Sequence, residues 1–172
     1  MKQIIGTVIA LGVILGAAFY SMPAKADTPP PVTKTRLVIK NDGGGELNKY
    51  IQSFAALKNE NIAVKVDGMC ASACTLVSSE IFSLDWCVTP NAVLGIHHPF
   101  ALDQGGEIVY SVPAAVQSYK IWSEVFYQKY PQWLRKFIDD KGGAPDVYNG
   151  AETSDILEVP FDELSKHVGV CK

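Results

Sequence analysis

The stretch Gly68-Met69-Cys70-Ala71-Ser72-Ala73-Cys74-Thr75 limits what this chain can become more than any other. It lies between the β-branched run 62–66 (IAVKV) and the apolar run Thr75-Leu76-Val77. Small residues between two such runs predict a buried strand, a tight turn and then a helix. A serine in that turn has its hydroxyl at the mouth of a sheet and its backbone N–H at a helix N-terminus. Nucleophilic hydrolases need both, one to attack a carbonyl and one to hold the oxyanion that forms. Taken alone, Ser72 is more simply read as a helix N-cap. A site requires a base and a second oxyanion donor from elsewhere in the chain.

The surrounding pattern is an alternation of strands and helices. Arg36–Ile39 reads as a first buried strand, ending in Asn41-Asp42-Gly43-Gly44-Gly45. Leu47, Tyr50, Ile51, Phe54, Ala55 and Leu57 follow helical spacing over 46–58, and Ile62–Val66 is a second strand. Two strands joined by a helix form a β-α-β unit, which implies parallel pairing and a right-handed crossover. A buried helix is expected over 73–82, with short strands at 85–88 and 92–96. Pro113 opens a long amphipathic helix to about Tyr130, where Pro131 interrupts it, and a further helix runs to about Asp140. A short strand at Ile156-Leu157 and a last helix capped by Asp162 and ending near His167 close the chain. The fold class expected is α/β with a mostly parallel sheet built from β-α-β units.

Met1-Lys2-Gln3 precedes the uncharged stretch Ile4–Tyr20, and Ala24-Lys25-Ala26 supplies a small-residue cleavage signal. This pattern predicts a secretory signal peptide over 1–26, the alternative being an uncleaved membrane anchor. Residues 27–34 (DTPPPVTK) read as a linker, which leaves one domain over 35–172. After cleavage, 13 basic residues face 18 acidic ones, a net charge of −5 with no basic cluster to support nucleic-acid binding. The four cysteines, Cys70, Cys74, Cys87 and Cys171, would meet an oxidising compartment, periplasmic or extracellular, and form one or two disulfides. Three full pairings remain open. Cys74–Cys87 is favoured, since it would tie the serine helix to the next strand.

Only three histidines exist, His97, His98 and His167. The first two stand where the strand 92–96 ends, the usual position of site residues in an open α/β sheet. Imidazole suits the base because its ordinary pKa of about 6.5 lets it take and return a proton near neutrality. The oxyanion donors expected are the N–H of Ala73, next to the serine, and one from the Gly43–Gly45 cluster at the same sheet edge. A metal shared by His97 and His98 is disfavoured, because consecutive strand residues point to opposite faces. No cofactor is implied.

Three stretches resemble the proteolytic subunit of the Clp proteases, within the wider Clp-protease/crotonase fold. Asn41-Asp-Gly-Gly44-Gly45-Glu-Leu47 is similar to that family's Asn-Ser-Pro-Gly-Gly loop, whose second glycine gives an oxyanion N–H, here Gly45. Gly68-Met-Cys-Ala71-Ser72-Ala73 resembles the Gly-x-Ala-Ala-Ser-Met nucleophile turn; the departures are Asp42-Gly43 in place of Ser-Pro in the loop and the two cysteines flanking the serine. Pro90-Asn91-Ala-Val-Leu-Gly-Ile96-His97-His98-Pro99 resembles Pro-Asn-Ser-x-x-Met-Ile-His-Gln-Pro, which selects His97 as the base. The spacing of 25 residues between Ser72 and His97 also matches. The resemblance spans roughly 36–100 and only loosely the last third of the chain. There, Asp155 takes the position of the triad acid, and the longer spacing from His97 leaves Asp146 and Glu152 open.

The resemblance implies an exported serine hydrolase, most simply a peptidase. Ser72 would be the nucleophile, His97 the base, Asp155 its orienter, and Gly45 and Ala73 the oxyanion donors. A Ser–Lys dyad is disfavoured, because the nearest downstream lysine, Lys120, falls on a solvated helix face and a basic lysine needs burial. Substrates would be short peptides or unfolded tails, since an exported chain cannot use an ATPase partner. A homo-oligomer is expected from the helix inserted between His97 and the acid. The rival reading is a non-catalytic binding or assembly module on the same fold.

Overall fold

A computed structural model describes residues 36–172. The signal peptide and linker expected over 1–34 lie outside the described residues. Six strands and four α-helices follow in order: β1 (Arg36–Asp42), α1 (Leu47–Asn59), β2 (Ala63–Ala71), β3 (Trp86–Val88), β4 (Val93–Ile96), α2 (Val112–Ile121), α3 (Gln132–Asp140), β5 (Leu157–Pro160), α4 (Phe161–Leu164) and β6 (Gly169–Val170). They build an α/β protein around a mixed, curled sheet. β1 and β2, β2 and β3, β2 and β4, and β3 and β6 pair parallel, while β4 and β5 pair antiparallel.

β2 is the pivot of this sheet. One of its edges is taken along its length by β1. The other edge is divided: Val64–Val66 pair with β3 and Met69–Ala71 pair with β4. Between the two sets lie Asp67 and Gly68, where the sheet forks. Gly68 has φ +151°, and a Cβ there would lie 1.4 Å from the Lys40 carbonyl oxygen. Only glycine allows β1 to come this close, and the β1–β2 register slips at that point, between Ile39 and Asn41. The Asp67 carboxylate holds the other branch by accepting hydrogen bonds from Thr89 Oγ1 (2.6 Å) and Asn91 Nδ2 (3.1 Å) in the turn between β3 and β4. These two donors, Thr89 foremost, hold its carboxyl below the ordinary carboxylate range.

The core joins residues of the helices to those of the sheet in one cluster. Phe54 of α1 packs against Phe82 with ring centroids 5.9 Å apart. Trp122, Phe126, Tyr130, Leu134 and Ile138 are buried with Val64, Val66 and Leu94 in the same cluster. The long helix expected over 113–130 is broken up. α2 ends at Ile121, a π turn covers Trp122–Phe126 and a 3₁₀ turn Tyr127–Lys129. Trp122, Phe126 and Tyr130 are nonetheless all buried.

Other differences trace to tertiary pairing. β2 runs on through Gly68–Ala71, which local pattern assigned to the turn, because β4 is there to pair with it. The segment after it is 3₁₀ (Ser72–Ser78) rather than an α-helix to 82. Asp162 lies in the first turn of α4, and Pro160 occupies the capping position. β6, two residues long, carries no local signal. The disulfides are Cys70–Cys74 and Cys87–Cys171, which corrects the favoured Cys74–Cys87 pair. Cys87 stands opposite Lys65 at the β3 branch, about 16 Å of strand before Cys70. Cys171 follows β6 and donates its N–H to Val88 O at 2.9 Å, which brings it beside Cys87. Among the described residues no helix is long and apolar enough to cross a membrane.

The fork makes a sharp contrast between two glycines. Gly68→Ala should cost about 3 kcal/mol or more, because its Cβ meets backbone that cannot yield. Gly43→Ala, with nothing within 4 Å and no positive φ, should stay within about 0.5 kcal/mol. Urea denaturation of the two variants checks this.

Candidate active site

Ser72 sits at the end of β2 with φ +54°, a left-handed conformation that costs a non-glycine residue about 1–3 kcal/mol. Three features hold it there. The Cys70–Cys74 disulfide closes a short loop around it. Its carbonyl accepts from Thr75 Oγ1 at 2.5 Å, and that hydroxyl also lies 2.6 Å from Tyr130 Oη in the core. Tyr130 is fully buried, and burial pushes its phenol well above the ordinary range, so it stays a neutral hydrogen-bonding group. The glycine loop supplies the third restraint: a Cβ on Gly44 would lie 2.5 Å from Ser72 Cβ and 2.7 Å from Ala71 O. Gly44, at φ +85°, lets the loop close directly onto the serine turn.

That loop is organised by Asp42. Its Oδ1 accepts the Gly44 N–H (2.9 Å) and the Tyr50 hydroxyl (2.5 Å). Burial, and then this carboxylate, push the Tyr50 phenol up to about 12. Gly44 N–H is thus committed to Asp42, and Gly45 follows it in the loop. Ala73 lies in the first turn of the 3₁₀ segment, where N–H groups have no intrahelical acceptor. Gly45, Ala73 and Ser72 line one cavity of about 740 Å³.

His97 lines the same cavity. β4 runs parallel to β2 with Gly95 opposite Ala71, so Ser72 and His97 follow at adjacent strand ends. Gly95 allows the close approach, since a Cβ there would fall 2.9 Å from Ala71 Cβ. His97 Nδ1 is 2.6 Å from the His98 carbonyl oxygen. A carbonyl only accepts, so Nδ1 carries the proton and Nε2 presents its lone pair. This is the tautomer a general base requires. The ring is stacked on Phe100 at 5.6 Å.

None of the three acids considered for orienting His97 has a described contact with it. Asp155 is exposed and its Oδ2 accepts the Glu152 N–H at 2.8 Å, closing a turn. Glu152 is exposed as well, and only their neighbours Thr153, Ser154 and Ile156 line the cavity. Asp146 accepts the Tyr148 N–H at 3.0 Å and turns its other oxygen toward His98 Nδ1, 3.6 Å away. The group in contact with His97 Nδ1 is a main-chain carbonyl. Lys120 is exposed on α2, and His167 stacks on Trp133 at 4.6 Å with Glu163 beside it.

His98 is the residue that sequence reasoning undervalued. It is 8% exposed, stacked on Trp122 with ring centroids 4.5 Å apart, and its N–H donates to Pro145 O at 2.8 Å. Its Nδ1 is buried with no hydrogen-bond partner among the described residues. Burial holds its pKa below the ordinary value, and His97 acts in the same direction against the opposing pull of Asp146. The adjacent pair His97-His98 was visible in sequence, but the stacking and the loop around Pro145 are long-range. No family model matches the chain, and no curated protein matches it significantly.

The depressed pKa of His98 has a defined sign. The unfolded chain binds a proton at about 6.5, whereas the folded chain resists it until lower pH. Stability should therefore fall as pH drops from about 7 towards 5, and His98→Phe, which keeps the stack on Trp122, should flatten that part of the profile. Urea midpoints across this range measure it.

Proposed function

We propose that the protein is an exported serine hydrolase, a peptidase with a Clp-protease/crotonase-like fold. The observation that carries this reading is the shared cavity of Ser72 and His97, with Ser72 in a strained turn and His97 in the base-competent tautomer. Ser72 Oγ attacks the peptide carbonyl while His97 Nε2 takes its proton. The N–H groups of Gly45 and Ala73 hold the oxyanion of the tetrahedral intermediate. His97 then returns the proton to the leaving amine, and water repeats the sequence on the acyl-enzyme.

The cavity's apolar side, formed by Leu47, Phe100, Leu102, Ile121, Phe126 and Ile156, favours a peptide with an apolar side chain next to the scissile bond. Two disulfides support an oxidising compartment, and a compartment without ATP leaves short peptides or unfolded tails as substrates, with no ATPase partner. Val112, Val116 and Tyr119 of α2 are exposed, which supports assembly into a homo-oligomer.

A fluorophosphonate probe tests the reading. Oxidised wild-type protein should label covalently, Ser72→Ala should not label, and His97→Ala should label at least about a hundredfold more slowly. Absence of labelling in correctly folded, oxidised wild type would sink it in favour of a non-catalytic binding module.

A further inference from the structure

The chain from His97 to Pro99 is held from several directions. The His98 N–H is fixed by Pro145 O, and the Pro99 carbonyl accepts from the Ser118 hydroxyl of α2. The His98 ring lies flat on Trp122, and the edge bearing Nδ1 faces Asp146 Oδ2 at 3.6 Å. Asp146 is itself anchored through its other oxygen by the Tyr148 N–H. The carbonyl that receives the His97 proton belongs to His98, so whatever fixes the His98 ring and main chain also fixes the direction of His97.

We propose that His98 and Asp146 form a positioning pair for His97, with the Asp146 carboxylate acting one residue removed from the base. The His98 ring, in its Nδ1–H tautomer, points that proton toward Asp146 across 3.6 Å, an electrostatic contact longer than a hydrogen bond, and lies stacked on Trp122. Its carbonyl is thereby held in line with His97 Nδ1–H, which keeps Nε2 turned toward the cavity. The groups facing the His98 ring are Asp146 from the loop before the 147–149 turn, His97 from the end of β4, and the Tyr119 ring of α2, 6.2 Å away. Asp146 is the one carboxylate in that set. The neutral carbonyl selects the tautomer of His97, and Asp146 keeps the carbonyl in place.

The catalytic consequence rests on the serine-hydrolase reading, but the geometry does not, so two readouts separate them. The first is the tautomer of His97 from long-range ¹⁵N–¹H correlation spectra, with the three histidines assigned by single His→Gln variants. Wild type should show His97 as Nδ1–H, and Asp146→Asn and His98→Phe should each shift it toward a mixture with Nε2–H. Asp146→Asn keeps an oxygen for the Tyr148 N–H, and near-ultraviolet circular dichroism verifies its fold. The control is Asp139→Asn, a carboxylate lining the same cleft as His98 but bonded to the Tyr127 hydroxyl, and it should leave the tautomer unchanged.

The second readout is the rate of fluorophosphonate labelling, expected to fall about tenfold or more in Asp146→Asn. A His97 tautomer indifferent to Asp146→Asn and His98→Phe, or one that responds to Asp155→Asn instead, overturns the positioning pair while normal labelling keeps the hydrolase. A tautomer that responds as stated in a protein that does not label upholds the pair and removes the hydrolase.

Discussion

Strand β2 has two edges and three neighbours, and the rest of the molecule follows from how that conflict is resolved. β1 takes one edge, and β3 and β4 divide the other. A parallel strand cannot change partners midway without a break in the ladder, and Asp67-Gly68 is that break. The positive φ of Gly68 lets β1 follow the bend, and the Asp67 carboxylate ties the β3–β4 turn to the fork. The branch that includes β4 carries β2 on to Ala71. Without it the strand would have no partner on that edge, and Ser72 would not stand beside the end of β4. The fork is therefore the means by which a residue at 72 and one at 97 come to share a cavity.

Around that meeting point, hydrogen bonds are spent on backbone more than on side chains. Asp42 commits the Gly44 N–H, Thr75 commits the Ser72 carbonyl, and the His98 carbonyl commits His97 Nδ1. A carbonyl orienter differs physically from a carboxylate. It selects the tautomer equally well, but as a neutral dipole it offers less Coulomb stabilisation to an imidazolium. Half-buried Asp146 places a carboxylate 3.6 Å from the His98 ring and has no described contact with His97.

The elements legible in sequence were those with local pattern. α1 and α3 show in hydrophobic period, and β1 shows in its apolar run, although it was expected buried and of that run only Ile39 is, with Leu37 and Val38 exposed. What was not legible depended on contacts between distant residues. The extension of β2 needed β4, the π turn at Trp122–Phe126 breaks a helix whose apolar pattern runs on, and β6 forms only by pairing with the distant β3. The cysteine pairing failed for the same reason: a tie from the serine segment to the next strand looked direct, whereas β3 pairs with β2 near Lys65 and Cys74 lies in the 3₁₀ segment beyond the far end of β2. The orienter of His97 was also hidden, because main-chain carbonyls carry no signature in residue type.

The two disulfides bear on how the chain reaches this state. Cys70 and Cys74 are four residues apart, so their thiols meet as soon as the turn forms, with a small loop to close. Cys87 and Cys171 are 84 residues apart, and they meet once β6 has docked beside β3. Oxidation in that order is self-protecting. Early closure of the short ring removes Cys74 as a competitor for Cys87, which then waits unpaired for the C-terminal strand. A chain oxidised before its turn forms loses that protection and has Cys74, only 13 positions before Cys87, as its nearest wrong partner.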